Sequence, residues 1–448
     1  MQWISFGSVA VMAAILGTST LAGSVERSVR PMIRPAGATV MPVMALAAVT
    51  AKASLRPKVR PAAPIKANTA PTPEKENEFA AWGTGFKARA LAQGISARTL
   101  SAAFDGVRYD PSVIKRDRNQ SEFTKTIWDY LDSAASDVRI ANGKSALSTH
   151  AAKLTQIEAR YGVEKEVVLA IWGLESAYGA FRGSNDVIQS LSTLAFDGRR
   201  GAFFEEQLIA ALKILQSGDT APRNMTGSWA GAMGHTQFIP TSYLQYAVDF
   251  TGDGRRDIWS DDPSDALAST AAYLAKFGWT KGQPWGVEVR LPSGFDYALA
   301  DRKIEKMPND WARLGVVDVN GVAVPARHGK ASVLLPAGNK GAAFMIFDNF
   351  AVIERYNTAD AYVIGVGHLS DRIKGGPAIR SGWPRDDRAL TFDERQEMQR
   401  RLTAGGFDTK GIDGRIGPKT IDAVRDFQRA KGRVPDGYAS LQLLNALR

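Results

Sequence analysis

One stretch of helical length constrains the fold more than any other feature. VVLAIWGLES, at Val167 to Ser176, is apolar on every side. Such a segment has no polar face to offer water, so it reads as a helix sheathed by other elements. Sheathing a helix needs a sizeable domain, and 448 residues suffice for two or three domains of roughly 150 residues each. Glu175 alone breaks the apolar pattern. Ile171, Trp172, Tyr178 and Gly179 surround it at helical spacing, so its carboxyl group is expected to be partly desolvated and its pKa raised. An acid still protonated near neutral pH can donate to an ether oxygen. A structural glutamate paired with a buried Arg is the other reading of the same pattern.

Helix-compatible apolar spacing begins at Phe79, Trp82 and Phe86 and recurs through Phe123, Ile127, Tyr130, Leu131, Leu154 and Ile157. Between residues 283 and 347 the texture changes to short β-type pieces at Val287 to Leu291, Val333 to Leu335 and Phe344 to Phe347, separated by Gly and Pro. Helical character returns from Asn349 to Arg372, and Gly375, Gly376, Pro377, Gly382 and Pro384 then mark a linker over 375–389. Residues 390–448 hold three short helical patterns, Arg395 to Ala404, Lys419 to Lys431 and Ser440 to Leu447. The fold class is mainly α (α+β): a helical domain over 77–374 with a small β insertion, followed by a three-helix module.

Composition removes several chemistries. With no Cys there are no disulfides, thiolate metal sites, Cys nucleophiles or Cys-linked lipid anchors. The four His, at 150, 235, 328 and 368, form no HExxH-like pair, which argues against a zinc hydrolase. Acid and base work falls to carboxylates. The net charge of +10 is concentrated near the N-terminus: nine basic residues against Glu26 and Glu74 between Ser24 and Lys75 account for +7 of it. The folded part therefore lacks a case for nucleic-acid binding.

Residues 1–53 read as an export segment. Trp3 to Ala22 is apolar but lacks a charged n-region, whereas Arg27, Arg30 and Arg34 precede the apolar run Ala36 to Val49 and small residues at Ala51 and Ala53. Met32 is a candidate start and Ala53 a candidate cleavage point. Residues 54–76, rich in Ala, Pro, Lys and Arg, are expected to form an extended linker.

GLESAYG, Gly173 to Gly179, resembles the Glu-Ser motif of lysozyme-like lytic transglycosylases. DRNQSEF from Asp117, GSWAGAMGHTQFIPTSY from Gly227, VDFTGDGRRDIW from Val248 and RYN from Arg355 resemble, in that order, the B-type lytic murein transglycosylases. The resemblance covers about Phe79 to Lys374. It implies a lysozyme-like catalytic domain that cleaves the MurNAc-GlcNAc bond of peptidoglycan with Glu175 as its single catalytic acid and base, leaving 1,6-anhydroMurNAc ends. It also maps Ser228 and Gln237, then Tyr356, Asn357 and Tyr362, onto opposite walls of the substrate cleft. Gly231, Gly234 and Pro240 read as loop-shaping, and His235 as a surface residue. No cofactor is expected for the chemistry itself.

Asp249, Thr251, Asp253, Gly254 and Arg255 follow the first half of an EF-hand loop. Ser260 stands where the closing Glu would be, and Asp265 is the best closing ligand. A structural calcium on Asp249, Thr251, Asp253, the Arg255 carbonyl and Asp265 is one expectation, and a metal-free loop held by Asx turns the other. DGRIGPKT at Asp413 to Thr420, followed by AVRDFQRAKG, resembles the peptidoglycan-binding type 1 module. The expected partner is thus peptidoglycan, met outside the cytoplasm by a monomer touching membrane only through an uncleaved N-terminal segment, if at all. A hydrolytic muramidase and a non-catalytic wall-binding scaffold remain the alternatives.

Overall fold

The computed structural model describes residues 71–118 and 125–448. The export segment, most of the N-terminal linker, and residues 119–124, which include 119–123 of the DRNQSEF motif, lie outside the described residues. The first helix spans Pro73–Ala92, so it takes in the last four residues assigned above to the linker. Local chemistry explains the early start. The Thr72 side chain accepts from the Lys75 amide, Pro73 fills the first helical turn, and Glu74 and Glu76 lie where the helix dipole favours acids.

The apolar run does form the central helix, Lys165–Ser176, with Val168, Leu169, Ala170 and Ile171 fully buried. Helices Asp137–Thr149, Ala151–Tyr161, Ser264–Lys276 and Asp360–Lys374 pack around it. Each fully buried Val, Leu or Ile contributes about 1.5 to 3 kcal/mol relative to exposure. That explains how this helix tolerates a carboxyl group near its end.

The β insertion is a four-stranded antiparallel sheet. Its spatial order is Val317–Asp318, Gly286–Arg290, Ala343–Ile346, Ser332–Leu334. Three strands fall where the alternating pattern put them. Val317–Asp318, only two residues long, is additional. Met345 lies opposite both Val287 and Val333, and Val289, Val333, Met345, Trp311 and Phe347 form a core separate from that of the helices. Trp285 joins the two: its indole packs on Gly367 and its Nε1 donates to Asp371 at 2.9 Å.

The C-terminal module contains helices Phe392–Ala404, Pro418–Ala430 and Leu441–Leu447 around Met398, Leu402, Val424, Phe427 and Leu444. Thr391 and Glu394 form a reciprocal capping box at its start. The segment 375–389 lacks helix and strand yet is fastened down. Glu288 accepts from the Arg380 and Ser381 amides, Arg385 makes two bonds at 2.8 and 2.9 Å to Asp132, and Trp383 lies 6.4 Å from Trp128, ring to ring. Arg425 donates to the Ala300 carbonyl at 2.6 Å, and the Asn339 amide donates to Asp436 at 2.9 Å, docking the module on the β insertion. Among the described residues, no helix is long and apolar enough to cross a membrane.

Candidate active site

The central helix stops one residue after Glu175, at Ser176. Ala177 and Tyr178 both take positive φ, 49° and 59°, and so does Gln237 across the site, at 54°. Non-glycine residues in this region cost about 1 to 3 kcal/mol each, and such outliers gather where geometry is imposed for function. The turn is tied at several points. Ser176 Oγ donates to the His235 carbonyl at 2.6 Å and accepts from the Gly179 amide, while the Tyr178 hydroxyl donates to the Arg139 carbonyl. Gly173 and Gly179 are required by close approach. A Cβ on Gly173 would lie 2.6 Å from the Tyr178 ring, and one on Gly179 2.7 Å from the His235 ring.

Among the described residues Glu175 itself has one side-chain bond: the Tyr362 hydroxyl donates to its Oε1 at 2.6 Å. Burial pushes its pKa up to about 7, against a smaller downward pull from Tyr362. Among the described residues no second carboxylate acts on it. The buried-Arg alternative fails as well, because Arg139 turns its guanidinium to the Gly173 carbonyl. Tyr356 and Tyr362 stack with centroids 6.5 Å apart, and the Tyr356 hydroxyl donates to the Thr236 carbonyl at 2.6 Å. The phenols of Tyr130, Tyr356 and Tyr362 are all pushed up, by burial first and by the Glu175 charge second. The result is a carboxyl group set among aromatic surface, able to hold a proton at neutral pH and to give it up.

The other expected site residues divide. Tyr362 and Tyr356 stand at the glutamate. Asn357 is buried, and its Oδ1 accepts from the Ala359 amide, an Asx turn between two helices. Ser228 is buried, and its Oγ accepts from the Ala230 and Ala232 amides. Gln237 uses its amide nitrogen on the Arg182 and Gly234 carbonyls, at 3.0 and 2.8 Å. Ser228 and Gln237 therefore brace the loop that follows Gly227, Ser228 by accepting from its amides and Gln237 by tying it to the Arg182 carbonyl. His235 is a clear correction. It is 3% exposed, accepts from Trp172 Nε1 through Nδ1 at 3.0 Å, and bonds the Ser260 carbonyl through Nε2 at 2.7 Å. Sequence reasoning missed it because its partners lie far away along the chain.

The acidic loop also closes. Carboxylate oxygens of Asp249, Asp253 and Asp265 lie within 4.8 Å of one another. Asp265 is buried and accepts from the Phe250, Thr251 and Asp257 amides. Asp249 accepts from the Gly252 and Gly254 amides, and the Arg255 amide donates to Asp253. Thr251 lies beside Asp249, hydroxyl to carboxylate 3.4 Å. Three hard oxygen donors on a glycine-rich turn fit a divalent cation such as calcium.

Comparison with known proteins gives matches over most of the chain. Residues 78–371 match the transglycosylase SLT domain, and residues 392–447 a peptidoglycan binding domain. The membrane-bound lytic murein transglycosylase B of Escherichia coli is 34% identical over 220 residues, 48% of this chain; the match spans 58% of that relative's length. Among solved structures, SltB3 of Pseudomonas aeruginosa in complex with NAG-anhNAM-pentapeptide is 50% identical, with a TM-score of 0.81 over 83% of this chain and 99% of that one. An Escherichia coli lytic transglycosylase in complex with calcium is 29% identical, with a TM-score of 0.56 over 65% of this chain and 92% of that one.

Proposed function

The chain belongs to the transglycosylase SLT-domain family, and from that membership we propose that it cleaves peptidoglycan glycan strands by lytic transglycosylation with Glu175 as sole acid and base. The observation that carries this reading is a desolvated Glu175 carboxyl that, among the described residues, has no second carboxylate acting on it and takes one side-chain bond, from Tyr362. Two-carboxylate glycosidases hold their pair about 5 to 9.5 Å apart, and a lone carboxyl needs another nucleophile.

The C6 hydroxyl of the muramyl residue supplies it. Protonated Glu175 gives its proton to the glycosidic oxygen as the C1–O bond breaks. The O6 oxygen then closes on C1, and its proton passes to the Glu175 carboxylate, restoring the acid. No water is consumed. The neighbouring acetamido group stabilises positive charge developing at C1, so no second protein carboxylate is required. SltB3 in complex with an anhNAM ligand is in keeping with such an end group.

The C-terminal module would hold the enzyme on insoluble wall, and the target places both modules outside the cytoplasm. Calcium on Asp249, Asp253 and Asp265 would be structural, since that loop is distinct from the Glu175 carboxyl. The test is mass spectrometry of products from purified peptidoglycan. Muropeptides one water lighter than reducing-end species are expected. Reducing ends without an anhydro fraction would make the protein a hydrolytic muramidase, and intact wall would make it a binding scaffold.

A further inference from the structure

We propose that His235 is a positioning residue for Glu175: neutral, with its proton on Nε2, it fastens the turn that ends the central helix, and protonation releases it. This rests on the reading of Glu175 as catalytic acid. An indole N–H can only donate, so the 3.0 Å bond from Trp172 Nε1 makes His235 Nδ1 an acceptor. The proton must then sit on Nε2, where it meets the Ser260 carbonyl at 2.7 Å. Trp172 lies on the same helix one turn before Glu175.

The backbone of His235 is committed as well. Its amide donates to the Ile258 carbonyl at 3.0 Å, and its carbonyl takes the Ser176 hydroxyl at 2.6 Å. Ser176 is the residue after Glu175. The ring lies so close to Gly179 that no side chain fits there. Imidazole, indole and serine thus join the helix end to the loop after Gly227 and to the segment around Ser260.

The groups that face the ring come from every side. Arg182 NH1 is 3.4 Å from Nε2 and is itself held by the Trp259 and Ser260 carbonyls and by Asp261. Asp257 lies on the same segment, and His150 lies across the Trp172 ring, 5.5 Å from it centroid to centroid. A second ring proton would point Nδ1–H at the indole N–H and set a cation beside Arg182. Burial, first, keeps His235 below the ordinary imidazole value; the Ser260 carbonyl pulls upward next, the Arg182 charge adds to the lowering, and Asp257 and Asp261 pull upward more weakly.

Activity therefore has two separate limits. Glu175 must be protonated to act as acid, so rate falls as pH rises through about 7. His235 must be neutral, so rate also falls as pH drops through its depressed value. The group that sets the acid limb never touches the glycan.

The test measures kcat/KM against pH on peptidoglycan for the full chain, for His235→Gln and for Trp172→Phe. In His235→Gln the acid limb attributable to the imidazole is expected to vanish. In Trp172→Phe it should move to higher pH by about one unit, because protonation no longer breaks a hydrogen bond worth about 1 kcal/mol. An acid limb at the same pH in both variants as in wild type would overturn the proposal. Nitrogen NMR of the wild-type imidazole gives an answer independent of how the variants fold: Nδ1–H in the neutral ring would equally overturn it. Full activity in Glu175→Gln would instead remove the Glu175 reading, leaving the tautomer and its bonds unaffected.

Discussion

Glu175 ends one helix and Asp265 opens another, Ser264–Lys276, and burial lifts both carboxyls above their ordinary range. Their surroundings then diverge. Glu175 receives one side-chain hydrogen bond, from a phenol. Asp265 receives three, all from backbone amides, and two further carboxylates stand beside it. Donors favour the charged form and pull against burial, so the Asp265 carboxyl is committed to organising a loop or a cation. Glu175, nearly without donors, is left able to carry a proton. Loss of water raises a carboxyl group's pKa, and the number of donors decides whether it serves chemistry or architecture.

The contrast can be broken most sharply at Glu175. Glu175→Gln keeps volume but supplies no proton, and lytic activity is expected to fall by at least about 10² to 10⁴-fold. Stability should move the other way. A carboxyl raised to about 7 in the fold costs stability as pH rises from its ordinary 4.5 through 7, so the melting temperature of the variant above that range should equal or exceed that of wild type. A lower melting temperature would show that the charge holds the fold together.

Asp265→Ala should do the reverse, leaving three backbone amides without acceptors at about 1 to 3 kcal/mol each. A Tm drop of about 5 °C or more is expected, along with loss of any rise that calcium gives wild type in a melting scan against chelator. A chelator-insensitive wild type would remove the cation from the account of this loop, though not the architectural role of Asp265.

The smallest effect is expected at Tyr362→Phe. Removing the single donor should lift the Glu175 pKa further, moving the basic limb of the rate profile up by about one unit while the peak rate changes by less than about tenfold. A basic limb that stays in place would mean that Tyr362 positions Glu175 without tuning it.

Much of this was legible in the sequence, for definite reasons. An apolar run with one acid announces a buried helix and a perturbed carboxyl, because burial and pKa follow from the same local pattern. Three of the four strands of the insertion show period-two alternation, and the fourth is too short to show any. Asp265 was recoverable as loop closure, since the EF-like half leaves a gap that an acid must fill. The internal partners of Ser228, Gln237 and His235 were not legible. Their side chains suit sugars or solvent equally well, and the fold adds bonds to carbonyls, amides and an indole elsewhere in the chain.

The fastening of residues 375–389 alters what attachment to a polymer can mean for this chain. A free tether of that length would let its module wander over a root-mean-square span of about 20 Å, so that binding would chiefly enlarge the volume searched by the catalytic domain. Held by Glu288, Asp132 and the Trp128 face, and with Arg425 and Asp436 docked beyond it, the segment has no such reach. Grip at the module then fixes a heading: the angle from which a strand approaches Glu175 is set by the fold, as a tool is set by its handle.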